Sequence, residues 1–266
     1  MSKPKILSFA TMKGGTGKTN VAFNLVGFLA KENKKVLVMD FDSQGNMSSN
    51  FYLNQLVESY DSISDVLEND IAPIDVIIEH PIDAMPTVDI IPSDKELTAT
   101  EMRLISRQMR HAILKRWLKK YKDCLEKYDY IICDTPPALS LSNINALFVS
   151  DSIIIVSSIG MHSIQGAMNI IGQWENLCEG LEIGNNIIGL LINKYDKRVK
   201  ISKEFIDYVN HNPLLKELSF DTIIPNNIKL EETSMVNLPI SYYNVKNVGY
   251  KAYIEFVKEL KELEAI

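Results

Sequence analysis

The chain has 266 residues, 46% of them hydrophobic, and a formal net charge of −6. That is ample apolar material for a full core, and the acidic balance argues against a protein that coats nucleic acid over its whole surface while still allowing a local basic patch. Three cysteines, Cys124, Cys133 and Cys178, show no C-x-x-C spacing, which argues against a disulfide framework or a zinc site; no run reaches the ~18 apolar residues that span a bilayer, so a cytoplasmic protein is expected.

In chain order, short apolar runs alternate with helical patterns. KILSFA (5–10) reads as a strand and leads through a glycine-rich turn into a helical pattern over 18–33. KVLVMDFD (35–42) and VDIIPS (88–93) read as strands, and a helical pattern follows over 95–127. YDYIICD (128–134), DSIIIVSS (151–158), IIGLLINK (187–194) and DTIIP (221–225) complete the strands, with helices expected over 142–149, 163–179, 200–211 and 247–264. The runs are apolar on both alternating faces, as in strands buried on both sides. Strand alternating with helix predicts an α/β fold: a twisted, mostly parallel sheet of seven to eight strands flanked by helices. There is no repeat and no linker rich in Pro, Gly or Ser, so residues 1–266 are expected to form one domain.

One stretch is unusual. From Met102 to Lys122 there are eight Lys and Arg residues and no acidic one. Met102, Ile105, Met109, Ala112 and Ile113 share one helical face; Leu114, Trp117, Leu118, Tyr121 and Leu125 share another, rotated by well over ~90°. Either the helix breaks near 111–114 or it is buried on different sides along its length. The basic residues are left on the outer faces, as a solvated surface or as a contact for nucleic acid.

The turn after the first strand, "FATMKGGTGKTN", ends in Gly17-Lys18-Thr19. In a strand–loop–helix setting this is a phosphate-binding loop. Gly14, Gly15, Thr16 and Gly17 supply backbone N–H groups that approach phosphate oxygens, and the helix N-terminus favours the negative charge. Lys18 is expected on the β- and γ-phosphates and Thr19 on Mg²⁺, with Asn20 beside them. The first glycine of the ordinary pattern is missing: position 12 is Met12, and a second lysine, Lys13, follows it.

Two further segments bring carboxylates to the same edge. Asp40 and Asp42 lie at the carboxyl end of the second strand, where open α/β sheets bind ligands. Two carboxylates two apart project from one side, so one can organise Mg²⁺ or its waters and the other can orient an attacking water. YDYIICD ends in Asp134, placed to bind Mg²⁺ through water. Thr135, not glutamate, follows it, so a catalytic glutamate is absent there and the hydrolytic role falls to the carboxylate pair at the end of the second strand. Farther on, Asn193-Lys194-Tyr195-Asp196 has the form of a guanine-reading N-K-x-D motif, in which the aspartate accepts from the base.

K-G-G-T-G-K-T resembles the deviant Walker A motif of the ParA/MinD superfamily. DFDSQGN (40–46) resembles that family's D-x-D-P-Q-G-N switch, with Ser43 in place of proline, and D-T-P-P at Asp134 matches it too. The resemblance to ParA/Soj-type partition ATPases runs nearly the whole chain, through "SISDVLEND", "VDIIPSDKEL", "SIQGAMNI", "IPNNIKLEE" and "YKAYIEFVKEL". It implies an ATP- and Mg²⁺-dependent ATPase of low intrinsic rate that forms a homodimer. Lys13 would reach the phosphates of the partner's nucleotide, Asp42 would position water, and Asp40 would be its structural or metal-side companion. It implies adenine, not guanine, with Asn193 on the base, helped by Pro225 and Asn226. It also implies nonspecific DNA binding on the nucleoid, released when a ParB-like centromere-binding protein stimulates hydrolysis. Because the loop begins near residue 12, the resemblance is to the short type without an N-terminal helix-turn-helix domain.

The family's basic positions depart here at Asn226, Asn247 and Val248, so DNA contact is expected instead from Arg198, Lys200, Lys229, Lys246 and Lys251. Two other readings stand beside this one. A MinD-like membrane switch needs a C-terminal amphipathic helix with a basic face, but here Glu255, Glu259, Glu262 and Glu264 face Lys258 and Lys261. A GTP-using switch would read N-K-x-D literally. A metabolic enzyme with the same loop, such as a ligase or an iron protein, lacks a recognisable substrate pocket or suitably placed cysteines.

Overall fold

The computed structural model describes residues 3–53 and 60–266. Among them, eight strands form one sheet: β1 (Lys5–Ala10), β2 (Val36–Asp40), β3 (Ile78–Glu79), β4 (Val88–Ile91), β5 (Tyr130–Asp134), β6 (Ser152–Ser158), β7 (Ile187–Tyr195) and β8 (Ser219–Pro225). Their spatial order is β3-β4-β2-β5-β1-β6-β7-β8. Each neighbouring pair is parallel except β3–β4. The first half of the chain contributes α1 (Lys18–Lys31), α2 (Asn46–Asn50), α3 (Ile63–Asn69), α4 (Pro73–Val76), α5 (Leu97–Leu104), α6 (Ile113–Lys120) and α7 (Lys122–Leu125). The second contributes α8 (Leu141–Val149), α9 (Met161–Leu181), α10 (Lys200–His211), α11 (Pro213–Leu218), α12 (Ile228–Val236), α13 (Ile240–Tyr243) and α14 (Val248–Glu262).

Strand alternation sorts the core into layers. Leu7, Phe9, Val36, Val38, Ile132, Ile154 and Val156 pack with α1 and α14 on one face. Ile6, Leu37, Met39, Ile131 and Cys133 point the other way, onto Trp117 and Leu125, and Ile153 and Ile155 meet Ile170 and Trp174 of α9. A central strand that buries both faces carries apolar side chains at every position, the pattern the strand runs show. Helix α1 is buried almost throughout from Val21 to Ala30, because α13 and α14 cover the side it turns away from the sheet. Helix α14 starts at Asn247, whose side chain accepts from Gly249 N at 2.7 Å, and it buries Tyr253, Phe256, Val257 and Leu260.

The basic stretch resolves as a break. Helix α5 ends at Leu104, Met109 takes a left-handed φ of 53°, and α6 begins at Ile113. Leu114, Trp117 and Leu125 of the second apolar face lie in the core, as do Ala112 and Ile113 of the first, whereas Met102 is 71% exposed and Ile105 and Met109 are each 59% exposed. Several of the cations turn back on the fold. Arg103 binds both oxygens of Glu68, at 2.6 and 2.7 Å. Arg107 and Arg110 donate to backbone carbonyls, and Lys120 pairs with Asp70. All three cysteines are free, and burial pushes the Cys133 thiol up to about 12. No helix among the described residues is long and apolar enough to cross a membrane.

Candidate phosphate-binding site

The parallel register sets the carboxyl ends of β1, β2 and β5 side by side, with Phe9 opposite Asp134 and Asp40 opposite Asp134. The glycine loop leaves β1 at this edge and runs into α1. Gly15 and Gly17 have φ of 79° and 84°, which an L side chain adopts only with strain. Gly17 must also be small, because a Cβ there would lie 2.5 Å from Asn193 Nδ2. The loop rims a cavity of about 520 Å³ lined by residues 13–20 together with Asp42, Gln44, Asn46, Ser49, Asn50, Pro137 and Ser234.

Position 12, the departure from the ordinary loop, has a packing role. Met12 lies against the α9 side of the core, and a Cβ on Gly166 would approach Met12 and Lys13 to 3.5 and 3.7 Å. Lys13 is thereby carried to the outer lip of the cavity, where it is exposed. Among the described residues no carboxylate lies within ion-pair distance of its side chain.

At the cavity floor, Lys18 Nζ donates to Asp134 Oδ1 at 2.5 Å and Thr19 Oγ1 donates to Asp134 Oδ2 at 2.7 Å. Lys18 is 5% exposed and Asp134 is fully buried, so a desolvated ammonium and carboxylate neutralise each other. Asp40 is also fully buried. Burial, and the charge of Asp134 beside it, push its carboxyl up to about 7. Asp40 Oδ1 accepts from Asp42 N at 3.1 Å, and Oδ2 accepts from both Ser48 N and Ser48 Oγ at 2.8 Å. Ser48 Oγ in turn accepts from Ser93 N at 2.9 Å. Asp40, expected as the structural or metal-side companion of Asp42, uses both oxygens to fasten the segment after β2 to β4. Asp42 lines the cavity; burial raises its carboxyl, opposed by the Gln44 N–H it accepts at 3.0 Å and by Lys18.

Thr19 and Asp134 are adjacent hard oxygen donors, the chemistry a magnesium ion prefers. Among the described residues no group of three or more His, Cys, Asp or Glu side chains is placed to hold a metal. An ion here would complete its shell with phosphate oxygens and water.

A second cavity of about 230 Å³ adjoins the loop and is lined by Gly17, Asn20, Asn193, Lys194, Pro225 and Asn226, among others. It holds the residues expected on the base. Asn193 itself is committed inside the protein: Nδ2 donates to Thr16 O at 2.9 Å and Oδ1 accepts from Lys194 N at 2.8 Å. Asn20 lines both cavities, and its amide donates to Leu230 O at 2.7 Å and Thr233 Oγ1 at 2.8 Å and so tethers α12. Asp196 is not in this cavity. Arg198 takes both its oxygens, at 2.9 and 2.7 Å, and holds its carboxyl down to about 2.

The residues expected on DNA fall on two stretches. Arg198 and Lys200 stand before and at the start of α10, each paired with an acid, Asp196 at 2.7 Å and Glu204 at 3.3 Å. Lys229 pairs with Glu232 at 2.7 Å on α12, while Lys246 and Lys251 are exposed around the start of α14. Sequence reasoning missed Gln44, Asn46, Ser49, Asn50 and Ser234 as cavity residues. The Q-G-N of the switch segment was the available signal for the first two; Ser234 comes from a distant helix and has none.

A family model described as "AAA domain" matches residues 4–187. The chromosome-partitioning ATPase Soj of Treponema pallidum is 31% identical over 258 residues, 96% of each chain. Apo McdA from Cyanothece superposes with a TM-score of 0.83 at 23% identity, covering 96% of this chain and 99% of that one. The septum site-determining protein MinD of Pyrococcus horikoshii, complexed with Mg-ADP, gives a TM-score of 0.72 at 23% identity over 98% and 97%.

Proposed function

This chain belongs to the Soj/ParA group of AAA-domain partitioning ATPases, and on that premise we propose that it is an ATP- and Mg²⁺-dependent ATPase that segregates DNA. The observation that carries the reading is the convergence of Lys18 and Thr19 on buried Asp134 beneath a glycine loop whose lip presents an exposed Lys13. A triphosphate entering the cavity competes with Asp134 for the Lys18 ammonium and gains the loop N–H groups. Magnesium, held by Thr19 and, through water, Asp134, would neutralise developing charge on the phosphates. Asp42 lines the cavity and orients the attacking water, its carboxyl raised by burial. Asp40 keeps Asp42 in place through the backbone bond at 3.1 Å.

Lys13 acts in trans. A triphosphate facing a second subunit leaves negative charge that a cation from that subunit can neutralise. The dimer therefore depends on the γ-phosphate and loosens on hydrolysis, which a ParB-like centromere-binding protein accelerates. The ATP-bound dimer holds nucleoid DNA through phosphate contacts from Lys246 and Lys251, joined by Arg198, Lys200 and Lys229 where DNA displaces their acidic partners. The chain acts as one ATPase unit, a reading supported by the single sheet that the strands among the described residues form. Adenine is favoured over guanine because Asp196 does not line the base cavity. A membrane switch is disfavoured because α14 spends Tyr253, Phe256 and Leu260 on the core.

The test is phosphate release from ATP with and without duplex DNA, beside equilibrium binding of labelled ATP and GTP. ATP-dependent DNA binding should fall steeply with salt. GTP bound much more tightly than ATP, or DNA binding unchanged at high salt, contradicts the proposal.

A further inference from the structure

The basic stretch after α5 is not used by the nucleotide site. Four of its cations, Arg103, Arg107, Arg110 and Lys120, are consumed by Glu68, Asp70 and backbone carbonyls. Lys115, Lys119 and Lys122, on α6 and the start of α7, stand elsewhere. Together with Lys3 they rim a groove of about 660 Å³, larger than the cavity at the glycine loop. The groove lies at the amino-terminal edge of the sheet, where Ile6, Ile131 and Asp151 mark the starts of β1, β5 and β6. The glycine loop leaves the other end of β1, about 20 Å away along a six-residue strand.

The walls are apolar: Pro4, Leu118, Leu125, Phe148 and Val149. Leu118, Phe148 and Val149 are only half-buried, and Lys115 Nζ sits 4.8 Å from the centre of the Phe148 ring. The lining carries two carboxylates. Asp151 faces Lys3 and Glu126 faces Lys122, each at 3.3 Å. Lys115 and Lys119 have no carboxylate partner among the described residues, so the groove is locally positive on a chain of net charge −6.

We propose that this groove docks an acidic amphipathic segment of another protein, one that sets two or three large apolar side chains on the Leu118–Phe148 walls and places Asp or Glu against Lys115 and Lys119. Charge complementarity selects the partner, and the apolar floor narrows it further. Nucleic acid needs phosphate neutralisation, not a greasy floor. A bilayer surface is too flat to reach into a concave groove. The site is independent of the nucleotide reading, because it shares no residue with the glycine-loop cavity.

The probe is a fluorescent 15-residue peptide with Leu and Phe at i, i+3, i+4 and i+7 and Glu on the flanks, titrated with the full chain and followed by anisotropy. Saturable binding is expected, weakened at least about tenfold by the double charge reversal K115E with K119E. Both side chains are exposed, so this variant should retain its thermal stability and ATP turnover. A peptide of the same composition with Leu, Phe and Glu scrambled should bind poorly. The proposal is overturned if the acidic amphipathic peptide does not bind, or if it binds the double variant equally well. It is also overturned if a short DNA duplex or vesicles of anionic lipid displace the peptide at matched charge concentration, which would make the groove a general polyanion surface. Self-association of the wild type that the double variant loses would likewise overturn it, by assigning the groove to a second copy.

Discussion

Alanine at each of three glycines in the phosphate loop should give a graded loss of stability. Gly14 has no left-handed φ, and a Cβ there would meet nothing within 4 Å. Gly14→Ala should therefore be neutral or stabilise by up to ~1 kcal/mol through the unfolded chain. Gly15 also has open space but a φ of 79°, so Gly15→Ala should cost only the left-handed backbone term, about 1–2 kcal/mol. Gly17 combines a φ of 84° with a Cβ 2.5 Å from Asn193 Nδ2. Asn193 must retreat, losing its 2.9 Å bond to Thr16 O in a buried setting, which adds about 1–3 kcal/mol. Gly17→Ala should thus cost about 2–5 kcal/mol, a fall in Tm of roughly 4–10 °C at this size. The assay is thermal and urea unfolding without nucleotide, so that lost ligand binding does not enter. Equal stability of Gly17→Ala and wild type, or equal losses at Gly14 and Gly17, would refute the account of how Asn193 braces the loop.

Lys13→Ala should leave Tm unchanged, since the side chain is exposed, yet abolish ATP-dependent dimerisation or hydrolysis; light scattering with ATP and a phosphate assay check both, and finding both intact removes the in-trans role. Asp42→Ala should keep ATP binding by calorimetry and lower turnover by about 10²-fold or more; near-normal turnover would assign water positioning elsewhere. Asp40 gives a pH signature. Burial pushes its folded carboxyl from the ordinary 3.8 up to about 7, so its contribution to stability is fully present below pH ~4, declines as pH rises towards 7 and is flat above. Asp40→Asn, which cannot ionise, should therefore gain in Tm relative to wild type between pH 4 and 7; a difference independent of pH across that window would contradict the burial argument.

The glycine loop and its carboxylates were legible because their chemistry is local. Lys18, Thr19, Asp42 and Asp134 sit next to strand ends, and a parallel sheet must bring the carboxyl ends of its strands to one edge. The helix at Ile63–Asn69 was legible in principle, since Ser62 and Asp65 form a capping box, with Ser62 N donating to Asp65 at 3.0 Å. The face of Met102, Ile105 and Met109 misled: helical spacing says which residues share a side, but not whether another element covers it.

Periodicity by itself determined the α/β class and seven of the eight strands among the described residues, because burial on both faces leaves a mark at every residue of a strand, and the Gly17-Lys18-Thr19 motif located the phosphate loop. The two-residue antiparallel strand β3 is too short to leave one. Only the tertiary structure decided how each polar side chain is spent. Asn20 tethers α12, Asn193 braces Thr16, Asp40 fastens Ser48, and Arg198 occupies Asp196. A hydrogen bond depends on two groups being brought within about 3 Å, and for partners as distant in the chain as residues 16 and 193 that proximity is a property of the packed sheet and helices.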